Sequence, residues 1–569
     1  MIIGIDLGTT NSLAGVWRNG IASLIPNAIG QVLTPSCVSL GENGDILVGQ
    51  AARDRLATHP LRTAANFKRS MGSPKTFDLG NQSFRPEELS AIVLRALKAD
   101  AETYLGEPVR EAIITVPAYF NDLQRKATQS AGAIAGLEVL RLLTEPTAAA
   151  LAYGVLESER EQTILVVDIG GGTFDVSLLQ SFEGVMEVRA TAGDIWLGGE
   201  DFVDVIVYGF MEAAGTKAGL PPVSAAAAVH GALRHEAELA KRALSEAQEA
   251  RIAVIYRDQE VAWTLTRDNF EALSEPVLSR IRRPIERALG DARMHPDEIS
   301  QVILAGGASR MPMFRRLIGR LFRRLPSQSI NPDEVVARGA AVRAGMQMRA
   351  AGLEELVMTD VCPFTLGIDT SSAMPDGSRI TGLFSPIIER NTVIPVSRVS
   401  RYTTISDNQT KITFGIYQGE SRLVKDNLKL GELVVHVPRL PAGEAQVDVR
   451  FTHAASGLLE VETTVEQTGA TDRLVIEGQA GRLTPAEVEE RLARLAKLKV
   501  APRDEAENIA LIARADRLYQ QCLGAEREQI GIALAHFIAA LETQDATNIR
   551  LTAKSLTRLL DARESPGAS

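Results

Sequence analysis

The chain has 569 residues, of which 45% are hydrophobic and 23% charged, and its formal net charge is −10 at pH 7. At roughly 150 residues per domain, this length allows three or four hydrophobic cores, and the composition is typical of a soluble globular protein. The negative charge argues against a nucleic acid as the main partner, because phosphate backbones are bound by clustered lysine and arginine.

The N-terminal segment and the cysteines indicate the compartment. The chain begins directly with an apolar strand that carries Asp6, without the basic region and apolar segment of an export signal. Cys37, Cys362 and Cys522 are far apart and form no CxxC pair, so neither a disulfide framework nor a zinc site is predicted. No apolar stretch reaches the length of about 18 residues that spans a bilayer. We therefore expect a cytosolic protein without a membrane partner.

Two segments, 4–12 and 167–175, repeat one pattern, in which an apolar strand ends at an aspartate and glycines and threonines follow at once. Glycine lets backbone N–H groups approach a polyphosphate, threonine hydroxyls add donors, and aspartate can hold a hydrated divalent cation. One copy alone would more often be a glycine hairpin. The duplication favours two related lobes that close on one nucleotide. The chain has no Gly-Lys pair and hence no P-loop, and residues 170–172 lack the dinucleotide-binding spacing.

The pattern of predicted secondary structure changes twice along the chain. Up to about residue 351, strands alternate with helical patterns at 86–104, 123–135 and 229–249, which predicts an α/β domain. From 361 to about 480, polar and apolar residues alternate, as at 411–417 and 446–451, and Ser456-Gly457 precedes a further strand at 459–462. This alternation predicts an antiparallel β module.

The C-terminal part is helical again. Thr484-Pro485-Ala486-Glu487 is a capping box, which marks the start of a helix. Amphipathic segments follow at about 506–522, 527–541 and 547–562, with breaks at Gly524 and 543–545. These segments predict a helical bundle.

Residues 353–361 separate the α/β part from the β module. The segment is apolar, whereas a passive linker is polar or rich in glycine, serine or proline. Two interpretations stay open at this point. The segment either docks on a neighbouring surface or simply continues a strand.

Five strings in the observed order resemble those of DnaK-type chaperones of the 70-kDa heat-shock family: 5–12, 115–122, 145–150, 168–175 and 197–202. The resemblance covers essentially the whole chain. The compact region after Lys68, the Val-Met-Thr-Asp linker and segment 384–392 are most similar to the bacterial HscC branch. The resemblance implies an actin-like, two-lobed α/β ATPase domain (1–352), an apolar linker (353–361), a β-sandwich peptide-binding domain (362–482) and an α-helical lid (483–569).

The resemblance also implies an activity and its partners. ATP hydrolysis to ADP and phosphate would close the β-sandwich groove and the lid over exposed apolar peptide segments of unfolded proteins. The implied cofactors are ATP or ADP, Mg²⁺ and K⁺. The implied partners are client peptides, a dedicated J-domain co-chaperone and a nucleotide exchange factor.

Position by position, the resemblance assigns residues to the nucleotide site. The catalytic set is Lys68, Glu145, Asp168, Thr173 and Asp175. Magnesium would be held, largely through water, by Asp6, Asp168 and Asp175. The phosphate and adenosine contacts would come from Gly8, Thr9, Thr10, Asn11, Gly170, Gly171, Gly172, Thr173, Gly198, Gly199, Glu238, Lys241, Arg242, Ser245, Gly306, Gly307, Ser309, Arg310 and Asp333. From spacing alone, 238–245 is only a polar helix face.

Two further sets follow from the same resemblance. The peptide groove would be lined by Ile368, Tyr402, Ile405, Ile412 and Phe414. From strand alternation alone, all five could equally be core residues. The allosteric relay would use Pro117 and Arg125, and the J-domain would contact Arg141 and Asp360.

Two other classes of protein remain as alternatives. An actin-like small-molecule kinase would share both phosphate turns but would have no use for the β module and the lid. A nucleotide-gated scaffold would bind ATP without turnover, against which Lys68, Glu145 and Thr173 argue.

Overall fold

The computed structural model describes residues 1–42, 44–154, 161–182, 185–222, 227–257, 259–327, 329–350, 353, 357–373, 379–454, 457–476, 506–522 and 524–564. These residues form two compact units. The first contains Met1–Phe364 and Arg390–Ile394, and the second contains Thr365–Glu389 and the described residues from 395 onward. Residues 354–356 of the linker and the capping box at Thr484 lie outside the described part of the chain.

The first 154 residues alternate strands with helices. The strands are β1 (Ile2–Asp6), β2 (Asn11–Arg18), β3 (Ile21–Ile25), β4 (Thr34–Pro35), β5 (Cys37–Leu40), β6 (Ile46–Val48), β7 (Thr63–Ala65), β8 (Phe77–Leu79), β9 (Gln82–Phe84), β10 (Glu111–Val116) and β11 (Glu138–Thr144). The helices are α1 (Gln50–Arg53), α2 (Arg55–Thr58), α3 (Pro86–Leu105), α4 (Asp122–Ile134) and α5 (Glu145–Ala152). The main sheet of this part has the order β11-β10-β1-β2-β3, with β4 paired to β2.

The chain from 161 to 364 follows the same alternation. Its strands are β12 (Gln162–Ile169), β13 (Phe174–Phe182), β14 (Val185–Asp194), β15 (Glu249–Tyr256), β16 (Gln259–Thr266), β17 (Gln301–Ala305) and β18 (Val357–Val361). Its helices are α6 (Gly199–Phe210), α7 (Ala227–Ala243), α8 (Arg267–Ala292), α9 (Pro312–Phe322) and α10 (Val335–Gln347).

The remaining strands are β19 (Leu366–Ala373), β20 (Arg379–Ile388), β21 (Val393–Ile394), β22 (Val396–Thr403), β23 (Lys411–Gln418), β24 (Leu428–His436), β25 (Gln446–His453), β26 (Leu459–Val465) and β27 (Thr471–Ile476). Within the second unit, β20-β19-β23-β24 and β22-β25-β26-β27 are two antiparallel four-stranded sheets. The described C-terminal helices are α11 (Ala506–Gln521), α12 (Gly524–Thr543) and α13 (Ala546–Glu564). They pack around a common core that includes Phe537 and Leu556.

The two large sheets of the first unit share one topology. In each, a central strand (β1 or β12) is parallel to one neighbour (β10 or β17) and antiparallel to the other (β2 or β13), and the antiparallel run continues to β3 or β14. In the strand register, Asp6 lies opposite Leu13, whereas Asp168 lies opposite Asp175. The two predicted turns therefore follow equivalent strands, but only the second hairpin places two carboxylates opposite each other.

A shared core fixes the two turns. It combines Ile2 and Ile113 of the first sheet with Ile164 and Val166 of the second. Helices α5 and α10 pack in direct backbone contact, since a Cβ added at Gly339 would lie 1.7 Å from the carbonyl oxygen of Ala148. Small residues at this crossing let the helices approach closely, and any larger side chain would push them apart.

The second large sheet continues from β14 into β18 and β21. Val357 to Thr359 pair in parallel with Val185 to Glu187, and Asp360 pairs with Ile394. The described end of the linker segment is therefore both a strand and docked. The two interpretations drawn from the sequence are compatible with each other.

The predicted helices at 86–104 and 123–135 correspond to α3 and α4, but the one at 229–249 was predicted too long. Helix α7 ends at Ala243, and β15 begins at Glu249. In the turn between them, the carbonyl oxygens of Leu244 (2.9 Å) and Ala247 (2.7 Å) accept hydrogen bonds from the Arg267 side chain instead of continuing the helix. Among the described helices, none combines the length and apolar character needed to cross a bilayer.

Candidate nucleotide site

The two phosphate turns meet at a cavity of about 330 Å³ in the first unit. Its walls contain most of the predicted site residues: Asp6, Gly8, Thr9, Thr10, Asn11, Lys68, Glu145, Asp168, Gly170, Gly171, Thr173, Gly199, Glu238, Lys241, Arg242, Ser245, Gly306, Gly307, Arg310 and Asp333. The predicted residues Gly172, Asp175, Gly198 and Ser309 do not line it directly. Leu13, Leu33, Glu246, Met311, Pro332 and Val336 do line it, although no motif in the sequence marks them.

The two turns touch each other across the cavity. A Cβ added at Gly171 would lie 1.8 Å from the hydroxyl oxygen of Thr10, so no larger residue fits there without separating the turns. This steric contact accounts for a glycine at position 171 whether or not a ligand is bound. The same contact explains why the two segments act as one site although they are far apart in sequence.

A buried ion pair lies at the base of the cavity. Lys68, in a short 3₁₀ turn (Phe67–Ser70), donates to Oε1 of Glu145, the first residue of α5, over 2.8 Å. Their side chains are only 3% and 8% exposed. Water therefore screens the pair poorly, and each charge depends on the other.

Three aspartates face this pair. Burial, followed by the charge of Glu145, raises the pKa of Asp6 to about 7 and that of Asp175 to about 8. The same two causes raise the pKa of Asp168 well above its ordinary value. Thr115 donates to Asp6 over 3.1 Å, and the backbone N–H of Tyr119 donates to Asp175 over 3.1 Å.

Four carboxylates are thus gathered around a single lysine. Mutual repulsion and desolvation make the fully ionised cluster unfavourable unless further positive charge is present. The residues therefore fit a bound divalent cation.

A second group of charges surrounds the end of α7. Burial alone would raise the pKa of Glu238, but Lys241 (2.6 Å) and Arg242 (2.7 Å) together lower it. Lys241 also donates to the carbonyl oxygen of Gly199 over 3.2 Å. Ser245 lies in the turn after α7, so its predicted place on the helix is wrong, yet it still lines the cavity.

The loop 306–310 follows β17 and forms a short 3₁₀ turn. Arg310 forms an ion pair with Asp333 at 2.7 Å. The hydroxyl of Ser309 donates to the carbonyl oxygen of Gly306, and Ser309 does not line the cavity. The loop and Asp333 therefore form one side of the site.

The predicted relay residues lie around the end of β10 and the linker strand. Arg125 donates to the carbonyl oxygens of Phe120 (3.0 Å) and Ala118 (3.3 Å), directly after Pro117. Burial lowers the pKa of Arg125, and the charge of Asp360 on β18 is the largest effect opposing it. Arg125 and Asp360 are therefore electrostatic neighbours.

Arg141 lies on β11, an edge strand of the first sheet. Burial and, to a smaller extent, the charge of Arg141 together lower the pKa of Arg343 on α10 to about 10. Arg141 therefore lies near a second arginine.

A polar cluster that the sequence did not predict connects α8 to segment 390–394. Arg390 binds Asp291 through two hydrogen bonds of 2.8 Å each, and Asn391 donates to the same carboxylate over 2.9 Å. Asn391 also accepts a hydrogen bond from the backbone N–H of Thr191 over 2.9 Å. Segment 384–392 was noted in the sequence for its family resemblance. The sequence around Asp291, however, contains no signal that identifies this residue as the partner of Arg390.

The predicted groove residues occupy different environments in the second unit. Ile368 and Phe414 are buried, Tyr402 and Ile412 are half-buried, and Ile405 is 43% exposed. The rings of Tyr402 and Phe414 are 5.9 Å apart, and the Tyr402 hydroxyl is 2.9 Å from that of Ser385. The structure brings Tyr402 and Phe414 together, whereas Ile405 projects into solvent.

The fold and the cavity define a protein with a charged site built from two topologically equivalent halves. Comparison with known families finds a match to the family described as Hsp70 protein, over residues 2–79 and 75–564. The chain is 40% identical over 528 residues to chaperone protein DnaK of Thermotoga petrophila, an alignment that covers 91% of this chain and 87% of that protein. Chaperone protein DnaK of Thermotoga neapolitana is 39% identical over the same length.

The chain therefore belongs to the Hsp70 family. Members of this family are ATP-dependent molecular chaperones with ATPase activity, and this chain is accordingly an ATP-hydrolysing chaperone.

Proposed function

We propose that ATP binds in the cavity between the two turns and that its hydrolysis controls the binding of exposed apolar peptide segments by the β module and the lid. The observation that carries this proposal is the buried Lys68–Glu145 pair, which faces Asp6 and Asp168 where the turns meet. The proposed domains are the actin-like ATPase (1–352), the linker (353–361), the β-sandwich (362–482) and the lid (483–569).

Mg²⁺ would be held by Asp6, Asp168 and Asp175 and would supply charge neutralisation of the phosphates, with K⁺ as an additional cation. In the part of the chain that the structure describes, no three potential ligand side chains converge tightly enough to bind a metal ion directly. We propose that the coordination is largely through water, which is the usual manner of magnesium.

The chain's own residues would position the reacting groups. Lys68 lies where it can neutralise charge that develops on the terminal phosphate, and Glu145 orients the attacking water. Thr9, Thr10 and Asn11 would hold the phosphates from the first lobe, and Gly171, Gly172 and Thr173 from the second. Phosphoryl transfer depends mainly on such positioning and charge neutralisation.

The end of α7 would bind adenosine. Arg242 lines the cavity and has 51% of its side chain exposed, and adenine would stack on its guanidinium. Glu238 and Lys241 would contact the ribose, Ser245 would contact the base edge, and Gly306, Gly307 and Arg310 would close over the nucleotide.

The relay from the nucleotide to the peptide would begin at Pro117 and Arg125. Arg125 is an electrostatic neighbour of Asp360, and Asp360 belongs to the strand that pairs with β14. A change at the cavity could therefore alter the docking of the linker. Thermodynamic reciprocity then requires that peptide binding alters nucleotide affinity.

The proposed partners are unfolded or extended peptides, a dedicated J-domain co-chaperone that contacts Arg141 and Asp360, and a nucleotide exchange factor. Ile368, Tyr402, Ile405, Ile412 and Phe414 would form the peptide groove. The proposed location is the cytoplasm.

Single-turnover ATP hydrolysis, with and without an unfolded peptide and a J-domain protein, tests this function. We expect slow basal cleavage, acceleration by both partners together, and loss of cleavage in Lys68→Ala. Turnover that ignores peptide, or transfer of phosphate to a sugar, would contradict the chaperone cycle. ATP binding without any cleavage would indicate a scaffold.

A further inference from the structure

A second cavity, of about 210 Å³, adjoins the nucleotide site in the first unit. The two cavities share Thr9 and Thr10 of the first phosphate turn and Glu238 of α7. Beyond these threonines, the second cavity is lined by Arg53 of α1, Leu56 of α2 and Arg234 of α7. A small molecule at the phosphate turns could therefore enter it past Thr9 and Thr10.

Arg53 has an unusual position in this second cavity. Among the described residues, its guanidinium makes no hydrogen bond and no ion pair within 4.0 Å. Burial lowers its pKa, and repulsion from Arg242 lowers it further. Arginine nevertheless stays protonated in proteins, so the cavity contains a partly desolvated cation without a direct counterion.

The carboxylates nearby are already engaged by other cations. Glu200 binds Arg234 at 2.6 Å. Glu238 binds both Lys241 at 2.6 Å and Arg242 at 2.7 Å. Both carboxylates attract Arg53 only at longer range. The positive charge of Arg53 is therefore available to a small anion.

We propose that the second cavity is an exit site in which inorganic phosphate is held by Arg53 after hydrolysis. This inference rests on the proposed ATPase function. When water attacks the terminal phosphorus, the bond to the bridging oxygen breaks, and ADP, inorganic phosphate and a proton result. The released phosphate would lie beside Thr9 and Thr10, and the adjoining cavity offers it Arg53, whereas Arg234 is already paired with Glu200. An arginine fork suits a tetrahedral oxyanion, since it offers parallel N–H donors.

The test measures binding of inorganic phosphate to the full-length chain loaded with ADP and magnesium. The variants are Arg53→Gln, which removes the charge, and Arg53→Lys, which keeps it. Arg18→Gln, at an exposed arginine of β2, is the matched control. ADP affinity and thermal melting of each variant verify that the fold and the adenosine site are intact.

We expect Arg53→Gln to weaken phosphate binding about tenfold, which corresponds to the loss of one charge-assisted hydrogen bond. Arg53→Lys should retain most of the affinity, and Arg18→Gln should match the unmodified chain. Sulfate, a tetrahedral dianion that is not a product, should compete with phosphate. If Arg53→Gln melts early, Leu56→Trp offers a second route, because it fills the cavity from α2 and should weaken phosphate binding in the same way.

Rapid-quench measurement of the cleavage step separates this inference from the proposed function. The rate of cleavage should be unchanged in Arg53→Gln. The delay between cleavage and the arrival of phosphate at a fluorescent phosphate sensor should shorten, because the variant no longer holds the product. Phosphate affinity that stays within twofold in both Arg53→Gln and Leu56→Trp overturns the exit site. Slower cleavage in Arg53→Gln also overturns it, because Arg53 would then act in hydrolysis itself. Failure of the unmodified chain to cleave ATP would instead refute the proposed function, whereas phosphate binding by Arg53 would remain measurable.

Discussion

Removing Lys68 should destabilise the nucleotide-free chain more than most single substitutions do. In Lys68→Met, Glu145 would be left with 8% of its side chain exposed and without its 2.8 Å partner, beside Asp6 and Asp168. Breaking a buried pair by removing one partner costs about 3–5 kcal/mol in the free energy of unfolding. Replacing both partners, as in Lys68→Met with Glu145→Gln, removes the uncompensated charge and should recover most of that loss.

Urea unfolding of the chain without nucleotide or magnesium, completed as a double-mutant cycle with Glu145→Gln alone, measures this coupling. Single-turnover hydrolysis of the same variants should stay at least about 100-fold slower than in the unmodified chain, because the charge that stabilises the transition state is still missing. Stability and catalysis should therefore separate in the double variant. If the double variant were as unstable as Lys68→Met, the ion pair would not be the source of the loss.

Three further outcomes are expected. Asp291→Ala removes the bidentate partner of Arg390 and should speed amide hydrogen exchange at 357–361, while the basal rate of hydrolysis is unchanged. Unchanged exchange would show that this cluster does not hold the linker strand in place. In Gly171→Ala, the added Cβ would overlap the Thr10 hydroxyl. An equilibrium titration should therefore show ATP binding weakened by about tenfold or more, as expected for an overpacked contact. Burial raises the pKa of Cys37 to about 12, so maleimide at pH 8 should modify the half-buried Cys522 and leave Cys37 unmodified, and equal labelling would contradict its burial.

Local signals identified the elements and the turns. The strand that ends at Asp6, its counterpart at Asp168 and the alternation at 411–417 all have the predicted conformation. These features depend on neighbours in sequence, which periodicity and turn chemistry capture.

Long-range partners could not be found in this way. Lys68 and Glu145 are 77 positions apart, and resemblance rather than pattern suggested their shared site. Arg390 and Asp291 are 99 positions apart and carry no signal that links them. Likewise, Arg267 of the following helix binds the turn after α7, at Leu244 and Ala247, where the sequence predicted that the helix continues. Tertiary packing selects such contacts, and a window of local sequence does not contain them.

The strand register also shows how a repeated half can specialise. Asp6 lies opposite an aliphatic side chain, Leu13, whereas Asp168 lies opposite Asp175. Two halves with the same topology thus carry unequal charge at the same place. Lys68, the cation that opposes this charge, and its partner Glu145 come from the other half. Neither half carries all of these groups alone, so the site exists only where the two halves meet, and a ligand that fills it must contact both.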